Sequence, residues 1–510
     1  MSTPDNTRID MRGSGSALCI LLAVSFAVFF PVLRNGFVLD DTYMVDGNEA
    51  LRDLAAVPKL FASTPPGSIN RGYYRPMMLA SFALDRALFG PGPAAFHAVN
   101  IVWHAATAWL VFLLLRHLLG QWLASLLGGL LFLVHPVQGE VVYLITYRAT
   151  ALAVFFMLAS LLYYLRHRHA FGVRQALAFA LLFFASLASK EMGVILPFLM
   201  VACDALVRGQ SRPAALAYVV TFVVLAAFAT LRLWLCVPSS VSYFGAASGD
   251  RVLRAMLVVE AYVLSLLVAP RSLAATYDAS VIHEPASFAD PVLLASAGVL
   301  LGLCYLAWRL RARAPLVTLG IAWYFIALGP TYNIMRSPNL FGERFLYSAM
   351  FGFCLCVAYG IARLAGSARR PLAIAVLALA LSLFAAQTHA RAYDWRDEVS
   401  CWRAIVAARP DSVQAHVGMA TTLLHARRYR EALPHFEIAL NAPLPSRATA
   451  RPLFGEAATC YSHVGDLDRA LAVVERWLSY QPEDTGFQQM RATLQAAIAR
   501  RDRTALPSVP

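Results

Sequence analysis

Charge is scarce in this sequence. Asp, Glu, Lys and Arg make up only 14% of its 510 residues, against 59% hydrophobic residues and a mean hydropathy of +0.58. So much apolar surface exceeds what one soluble core can hide, which excludes an ordinary globular protein and leaves a polytopic membrane protein. Cysteine is equally thin. Eight residues, at 19, 203, 236, 304, 354, 356, 401 and 460, lie mostly inside apolar segments and form neither a zinc pattern nor a disulfide framework. Lysine is rare, and the arginines behind the net charge of +13 sit in short loops between apolar runs, where they set topology. No basic and aromatic strip accompanies them, so nucleic acid is not expected as a partner. A small-residue cleavage site is also missing after the apolar stretch from Ala17 to Leu33, which therefore reads as a retained first span.

What is present in abundance is membrane-length hydrophobic sequence. A helix crosses a bilayer in about 17 to 25 residues. Runs of that order occur at 17–34, 97–116, 121–137, 148–166, 174–190, 192–208, 213–236, 291–310, 316–333, 344–363 and 371–389, which predicts eleven spans. A further stretch, 252–269, carries Glu260 at its centre and Arg251, Arg254 and Arg271 at its ends. Leaving it re-entrant or interfacial places Arg8, Arg12, Arg116, Arg166, Arg168, Arg174, Arg208, Arg212, Arg309, Arg311, Arg313, Arg363, Arg369 and Arg370 on one side, the cytoplasm; Arg34 is an exception. The 35–96 loop, the 334–343 loop and everything after residue 390 then face outward.

After Arg391 the composition becomes that of a soluble helical protein. Ala420, Tyr429, Ala432, Phe436 and Ala439, and again Ala458, Tyr461, Ala470 and Pro482, fall where a tetratricopeptide repeat places its packing residues. Ala432 and Ala470 are 38 positions apart, against about 34 in the repeat, and the insertion Pro443-Leu-Pro445 can absorb the difference. The fold class expected is all-α: a membrane domain over 1–390 followed by a short α-solenoid of such repeats over 391–510. Concave helical arrays of this kind bind peptide or protein segments; a fold-stabilising appendage is the alternative.

Ionisable residues collect at the outer ends of the spans. Asp40 and Asp41 follow the first span in the run Asn35-Gly-Phe-Val-Leu-Asp-Asp, and carboxylates there must be solvated, paired or used. Tyr74 and Arg75 precede the second span, where His97, Asn100 and His104, spaced by three and four, share one helix face. His135 and Glu140 end the third span, Tyr147 and Arg148 open the fourth, Lys190 and Glu191 separate the fifth from the sixth, and Glu343, Arg344 and Tyr347 begin the tenth. Structural ion pairs and helix-to-helix hydrogen bonds account for any one of these. Together, an acidic pair beside several cations suits transfer of a group from an anionic lipid carrier to an acceptor hydroxyl. Fixed positive charge receives the departing phosphate, and a carboxylate takes the hydroxyl proton. A metal at His97 and His104 requires a third protein ligand, and none is visible in the sequence.

These blocks, in this order, resemble the C-type lipid-phosphosugar-dependent glycosyltransferases (the GT-C class). Within them the chain is similar to the transmembrane and tetratricopeptide-repeat O-mannosyltransferases and their bacterial relatives. The blocks are Asn35 through Asp41; Tyr74-Arg-Pro76 through Ser81-Phe82 to His97, Asn100 and His104; His135-Pro-Val-Gln-Gly-Glu140 through Tyr147-Arg148; Ser189-Lys-Glu191 with Pro197 and Asp204; Gly342-Glu-Arg344 with Tyr347; and then the repeats. The resemblance implies a GT-C-like fold, an active site on the outer face, a polyprenyl-phosphate-linked sugar donor and, in general, inversion at the anomeric carbon. It also implies that Asp40 or Asp41, unranked, is the catalytic base, and that Lys190, Arg344 and Arg148 hold the lipid phosphate. Two departures stand out. The repeat array is short, and Glu343-Arg344 is followed by Phe-Leu-Tyr-Ser where the family has a proline soon after the tyrosine.

The expected function is transfer of a hexose, mannose by family default, from a polyprenyl phosphate to Ser or Thr hydroxyls of extracytoplasmic proteins. The repeats would present the acceptor protein or peptide. The arginine-rich, alanine- and leucine-heavy composition suggests a bacterial inner membrane and a periplasmic site. No cofactor is predicted, with a divalent metal left open. Competing readings are a glycosyltransferase acting on a lipid or cell-surface glycan, a transporter or flippase, and a membrane-anchored repeat scaffold. A transporter predicts internal repeats of the membrane half, which are not found, and a scaffold needs only one span.

Overall fold

A computed structural model describes residues 13–62, 73–207, 214–236, 249–271, 273, 277, 282–331, 340–442 and 447–505. Among these residues all regular secondary structure is helical, apart from an isolated antiparallel bridge between Tyr277 and Phe341. Arg8, Arg12, Arg208, Arg212, most of the 334–343 loop and the Pro443–Pro445 insertion lie outside the described residues. The chain divides into two compact units, 1–397 and 398–510.

The first unit is a polytopic helical membrane domain. Seven helices are long and apolar enough to cross a bilayer: Ser14–Arg34, Pro93–Leu119, Ile145–Ala170, Ala215–Leu235, Pro291–Leu310, Glu343–Arg363 and Arg370–Trp395. The pair Trp122–Val134 and Pro136–Tyr143, bent by 55°, adds up to one more, and Val173–Ser189 and Pro315–Leu328 are apolar but shorter. The eleven expected spans are thus not eleven uninterrupted helices. Pro136 explains the bend, because the residue before a proline is pushed out of the helical region, and His135 is extended at ψ 129°. The run 192–208 departs furthest. After Lys190, itself extended, a tight turn over Glu191–Ile195 leads into a helix of only 11 residues, Leu196–Leu206, about 16 Å long. The 252–269 stretch forms a 20-residue helix, Gly249–Val268, that falls outside the apolar set. It buries Ala255, Val258, Val259, Val263, Leu266 and Leu267 at helical spacing.

Local sequence explains where several helices begin and end. Pro76, Pro93, Pro291 and Pro315 occupy first turns, where the missing N–H costs nothing. Gly120 closes the Pro93–Leu119 helix at φ +70°, a left-handed conformation that favours glycine. The first and last spans are tied at one end of the domain: the Asn35 side-chain amide donates to the Ala392 carbonyl at 3.0 Å, and the Gly36 N–H to that of Arg396 at 2.9 Å.

The second unit is a series of helices in which each packs on its predecessor: Glu398–Ala408, Val413–His425, Tyr429–Asn441, Arg447–Val464, Leu467–Tyr480 and Thr485–Ala505. Ala420, Ala432, Phe436, Ala439, Ala458, Tyr461 and Ala470, picked out from the sequence as packing residues, enter one buried core with Phe454, Val474 and Trp477, and Tyr429 packs against it. Small alanines at the crossings let the helices approach, and the aromatic rings fill the space between them.

Candidate functional site

The acidic pair sits on a strained turn at one end of the membrane domain. Leu39 adopts φ +51°, a left-handed conformation costing a non-glycine residue roughly 1–2 kcal/mol. Beyond it the chain forms one wide π-helical turn over Thr42–Asp46, closed by the Gly47 N–H on the Thr42 carbonyl. The two carboxylates then part company. Asp41 is wholly buried and accepts the backbone N–H of Thr146 at 2.8 Å and of Ile145 at 3.1 Å, pinning the turn to the entry of the Ile145–Ala170 span. Burial drives its carboxyl up to about 6, and the hydrogen bonds from Thr146 and Ile145 limit the rise. Asp40 remains partly exposed and accepts a hydrogen bond from the Tyr43 hydroxyl at 2.5 Å.

Cations gather around Glu140 and Glu191, and one of them, Arg344, lies in the field of Asp40. Glu140, at 0% exposure, holds Arg344 twice, its Oε1 accepting from Nη1 and its Oε2 from the backbone N–H, each at 2.7 Å. The guanidinium lies over the rings of Tyr147 and Phe345, 4.7 and 5.0 Å from their centroids. Lys190 donates to Thr150 Oγ1 at 2.7 Å and lies in the fields of Arg75, Arg344, Glu191 and Glu140. Glu191 in turn receives Arg75 at 3.2 Å and Arg232 at 3.3 Å. Arg75, Lys190, Arg232 and Arg344 therefore surround two carboxylates, four basic side chains against two acidic ones. The two glutamates are almost enclosed, while the side chains of Arg75 and Arg232 stay 20% and 28% exposed.

Other residues singled out in the sequence turn inward and brace this arrangement. Arg148, at 0% exposure, spends its donors on Asn100 Oδ1, Ser81 Oγ, the Phe96 carbonyl and the carboxylate of Asp85. All three of its side-chain nitrogens are engaged, whereas Lys190 and Arg344, also buried, each make a single side-chain hydrogen bond. Asn100 also donates to the carbonyls of Leu144 and Ile145. His104 joins the Tyr347 hydroxyl at 2.8 Å to the Leu133 carbonyl at 2.9 Å, and His135 reaches the Leu267 carbonyl at 3.1 Å. His97 is wholly buried in the same layer. Among the described residues no group of three His, Cys, Asp or Glu is placed to hold a metal ion. Glu343 accepts both terminal nitrogens of Arg391, at 2.9 and 3.2 Å, and the Tyr277 hydroxyl at 3.0 Å; Tyr74 donates to the Phe61 carbonyl at 2.8 Å.

Arg232 is the member of the cation group that sequence reasoning missed. Its signal was available: it is the single charged residue of the Ala215–Leu235 span and lies in its last turn.

No protein-family model matches the chain. The chain resembles protein O-mannosyl-transferases. It is 25% identical to the protein O-mannosyl-transferase F38B6.6 of Caenorhabditis elegans over 435 residues, covering 80% of this chain and 60% of that protein. It is 24% identical to mouse TMTC3 over 469 residues, covering 82% and 50%. With Drosophila melanogaster Tmtc1 it shares 31% identity over 218 residues, or 40% of this chain and 25% of that protein. The chain thus spans at most three fifths of these relatives' lengths. Among solved structures, ArnT from Cupriavidus metallidurans bound to undecaprenyl phosphate aligns over 90% of this chain and 79% of its own, with a TM-score of 0.42 and 15% identity. The Archaeoglobus fulgidus oligosaccharyltransferase tethered with an acceptor peptide aligns over 86% and 60%, with a TM-score of 0.40 and 12% identity.

Proposed function

We propose that this chain is an integral-membrane glycosyltransferase that moves a hexose, mannose by analogy with its named relatives, from a polyprenyl phosphate to Ser or Thr hydroxyls of proteins outside the cytoplasm. The observation that carries the reading is a partly exposed carboxylate, Asp40, in the field of Arg344, which belongs to a group of four basic side chains around two carboxylates. A lipid phosphate seated on Lys190, Arg344, Arg75 and Arg232 puts its sugar near Asp40. The acceptor hydroxyl gives its proton to Asp40 and its oxygen bonds to the anomeric carbon. The bond from that carbon to the phosphate oxygen breaks, and the electron pair leaves with the phosphate. Attack opposite the leaving phosphate inverts the centre. Fixed cations favour this step because negative charge grows on the phosphate as the bond breaks.

Asp40 is the base in this scheme and Asp41 an anchor, since Asp41 already accepts two backbone N–H groups and is sealed from an acceptor. Arg148 acts as a brace rather than a phosphate ligand, because protein groups take its donors. The helices of 398–505 are assigned as tetratricopeptide-like repeats presenting the acceptor, and the site to the periplasmic face of a bacterial inner membrane.

Mass spectrometry of envelope proteins tests the reading in three strains: wild type, a deletion, and the deletion complemented with Asp40→Asn. Hexose additions on Ser or Thr are expected in wild type alone. A protein glycome identical in all three strains overturns protein glycosylation by this chain.

A further inference from the structure

Tyr147 occupies a position that the scheme above leaves unused. It follows directly on Ile145 and Thr146, whose backbone N–H groups hold Asp41, so the turn bearing the acidic pair is clamped to the residues that carry this phenol. On its other side the Arg344 guanidinium lies against the ring, 4.7 Å from the centroid, and Arg344 is itself fixed by Glu140 at 2.7 Å. The phenol stands in the fields of Arg344, Glu140, Asp40 and Asp41 together. The residue is partly exposed, whereas its neighbours Thr146 and Arg148 are buried. Among the described residues no hydrogen bond to its hydroxyl is formed, although the hydroxyls of Tyr43, Tyr74, Tyr143, Tyr164, Tyr218, Tyr277 and Tyr347 each have a partner. A phenol whose ring is packed by a guanidinium and whose O–H is uncommitted among the described residues is prepared to donate to an incoming anion.

We infer that Tyr147 is a substrate-contacting residue whose hydroxyl donates a hydrogen bond to the phosphate of the donor, at the oxygen that becomes the leaving group. The inference rests on the glycosyl-transfer reading above. The phenol keeps its proton throughout. As the bond from the anomeric carbon to the phosphate oxygen breaks and the electron pair passes to that oxygen, the hydrogen bond shortens and strengthens, while the acceptor's proton goes to Asp40. An interaction that is stronger in the transition state than in the bound donor lowers the barrier without tightening donor binding. The aromatic ring has a separate task, as the surface against which Arg344 is held.

Tyr147→Phe separates the two tasks, because it keeps the ring beneath Arg344 and deletes only the hydroxyl. The assay uses the full chain in detergent with a polyprenyl-phosphate mannose donor and a Ser/Thr-containing peptide, and records kcat, donor KM and the thermal unfolding midpoint. The expected result is a kcat lower by roughly 10- to 100-fold, with donor KM and the unfolding midpoint near those of wild type. Tyr147→Ala, which also removes the ring, is expected to raise donor KM in addition. Wild-type kinetics in Tyr147→Phe overturn the inference while leaving glycosyl transfer intact, and so does a loss confined to KM or to the unfolding midpoint. An inactive wild type with an active Tyr147→Phe is excluded by the scheme, and a wild type inactive toward every lipid-phosphate sugar overturns the functional reading and this inference with it.

Discussion

Glu140 holds Arg344 by both ends of its carboxylate, one oxygen on the side-chain Nη1 and the other on the backbone N–H. The contact joins the bent helix after Pro136 to the start of the Glu343–Arg363 span, segments 204 residues apart in sequence. It also fixes where the guanidinium stands relative to Tyr147 and Asp40.

Because Arg344 is oriented by Glu140, the two residues act as a unit. Glu140→Gln retains one acceptor and loses the charge, and Arg344→Gln removes the cation. Each is expected to lower kcat/KM for the lipid donor by about tenfold or more. The double variant should lose much less than the product of the single losses, with a coupling of roughly 0.5–3 kcal/mol. A double-mutant cycle on purified protein measures this, and strict additivity would mean that Glu140 does not position Arg344 for the donor.

Asp40→Asn and Asp41→Asn should fail in different ways. Loss of the base costs about 100-fold or more in kcat, with folded yield unchanged. At Asp41 the amide can accept only through one oxygen, so one of the N–H groups of Ile145 and Thr146 loses its partner in a fully buried place, at a cost of about 1–3 kcal/mol. Lower folded yield and a lower unfolding midpoint are expected there, with residual turnover. Activity and unfolding measured side by side decide the assignment. The opposite pattern would exchange the two roles.

Arg148 shows how far the sequence could be read and where it stopped. An arginine at the mouth of a membrane span reads as a candidate phosphate ligand, and from order along the chain Arg148, Lys190 and Arg344 look alike. What separates them is the tally of donors used, which depends on Asp85, Ser81, Phe96 and Asn100 converging from two other helices. No local pattern announces that convergence. Apolar run lengths did show the long spans, since burial in lipid needs sustained hydrophobicity whatever the packing. The same criterion merged the Glu191–Ile195 turn and the short Leu196–Leu206 helix into one span, because hydropathy does not register where the backbone leaves the helix. His97, Asn100 and His104 were legible as one face, and the structure gives that face to hydrogen bonds between helices and to buried packing.

A test of the brace follows. Lysine at 148 keeps the charge but loses the planar fork that serves Asn100, Asp85, Ser81 and the Phe96 carbonyl at once. The pair with Asp85 can survive, but a buried acceptor left without its donor costs about 1–3 kcal/mol. Arg148→Lys should therefore lower the unfolding midpoint and the folded yield, and the fraction that folds should bind the donor with nearly wild-type affinity. A wild-type midpoint with a large rise in donor KM would instead place Arg148 against the phosphate.

Asp41 also gives the protein a pH signature. Its carboxyl titrates at about 6 in the folded chain, because burial outweighs the hydrogen bonds from Thr146 and Ile145, against 3.8 for an ordinary aspartate. A group whose folded value is raised binds its proton more tightly when folded, so its contribution to stability is complete below about pH 4 and is lost as pH rises through 6. The rise from 3.8 to about 6 corresponds to about 3 kcal/mol across that window. Asp41→Asn has no proton to take up and lacks this dependence. The unfolding midpoint of the wild type, measured relative to Asp41→Asn at each pH, should therefore climb as the buffer is taken from pH 7 to pH 4. A difference that stays constant over that range would mean that water reaches the carboxylate and that it does not anchor the turn as a buried group.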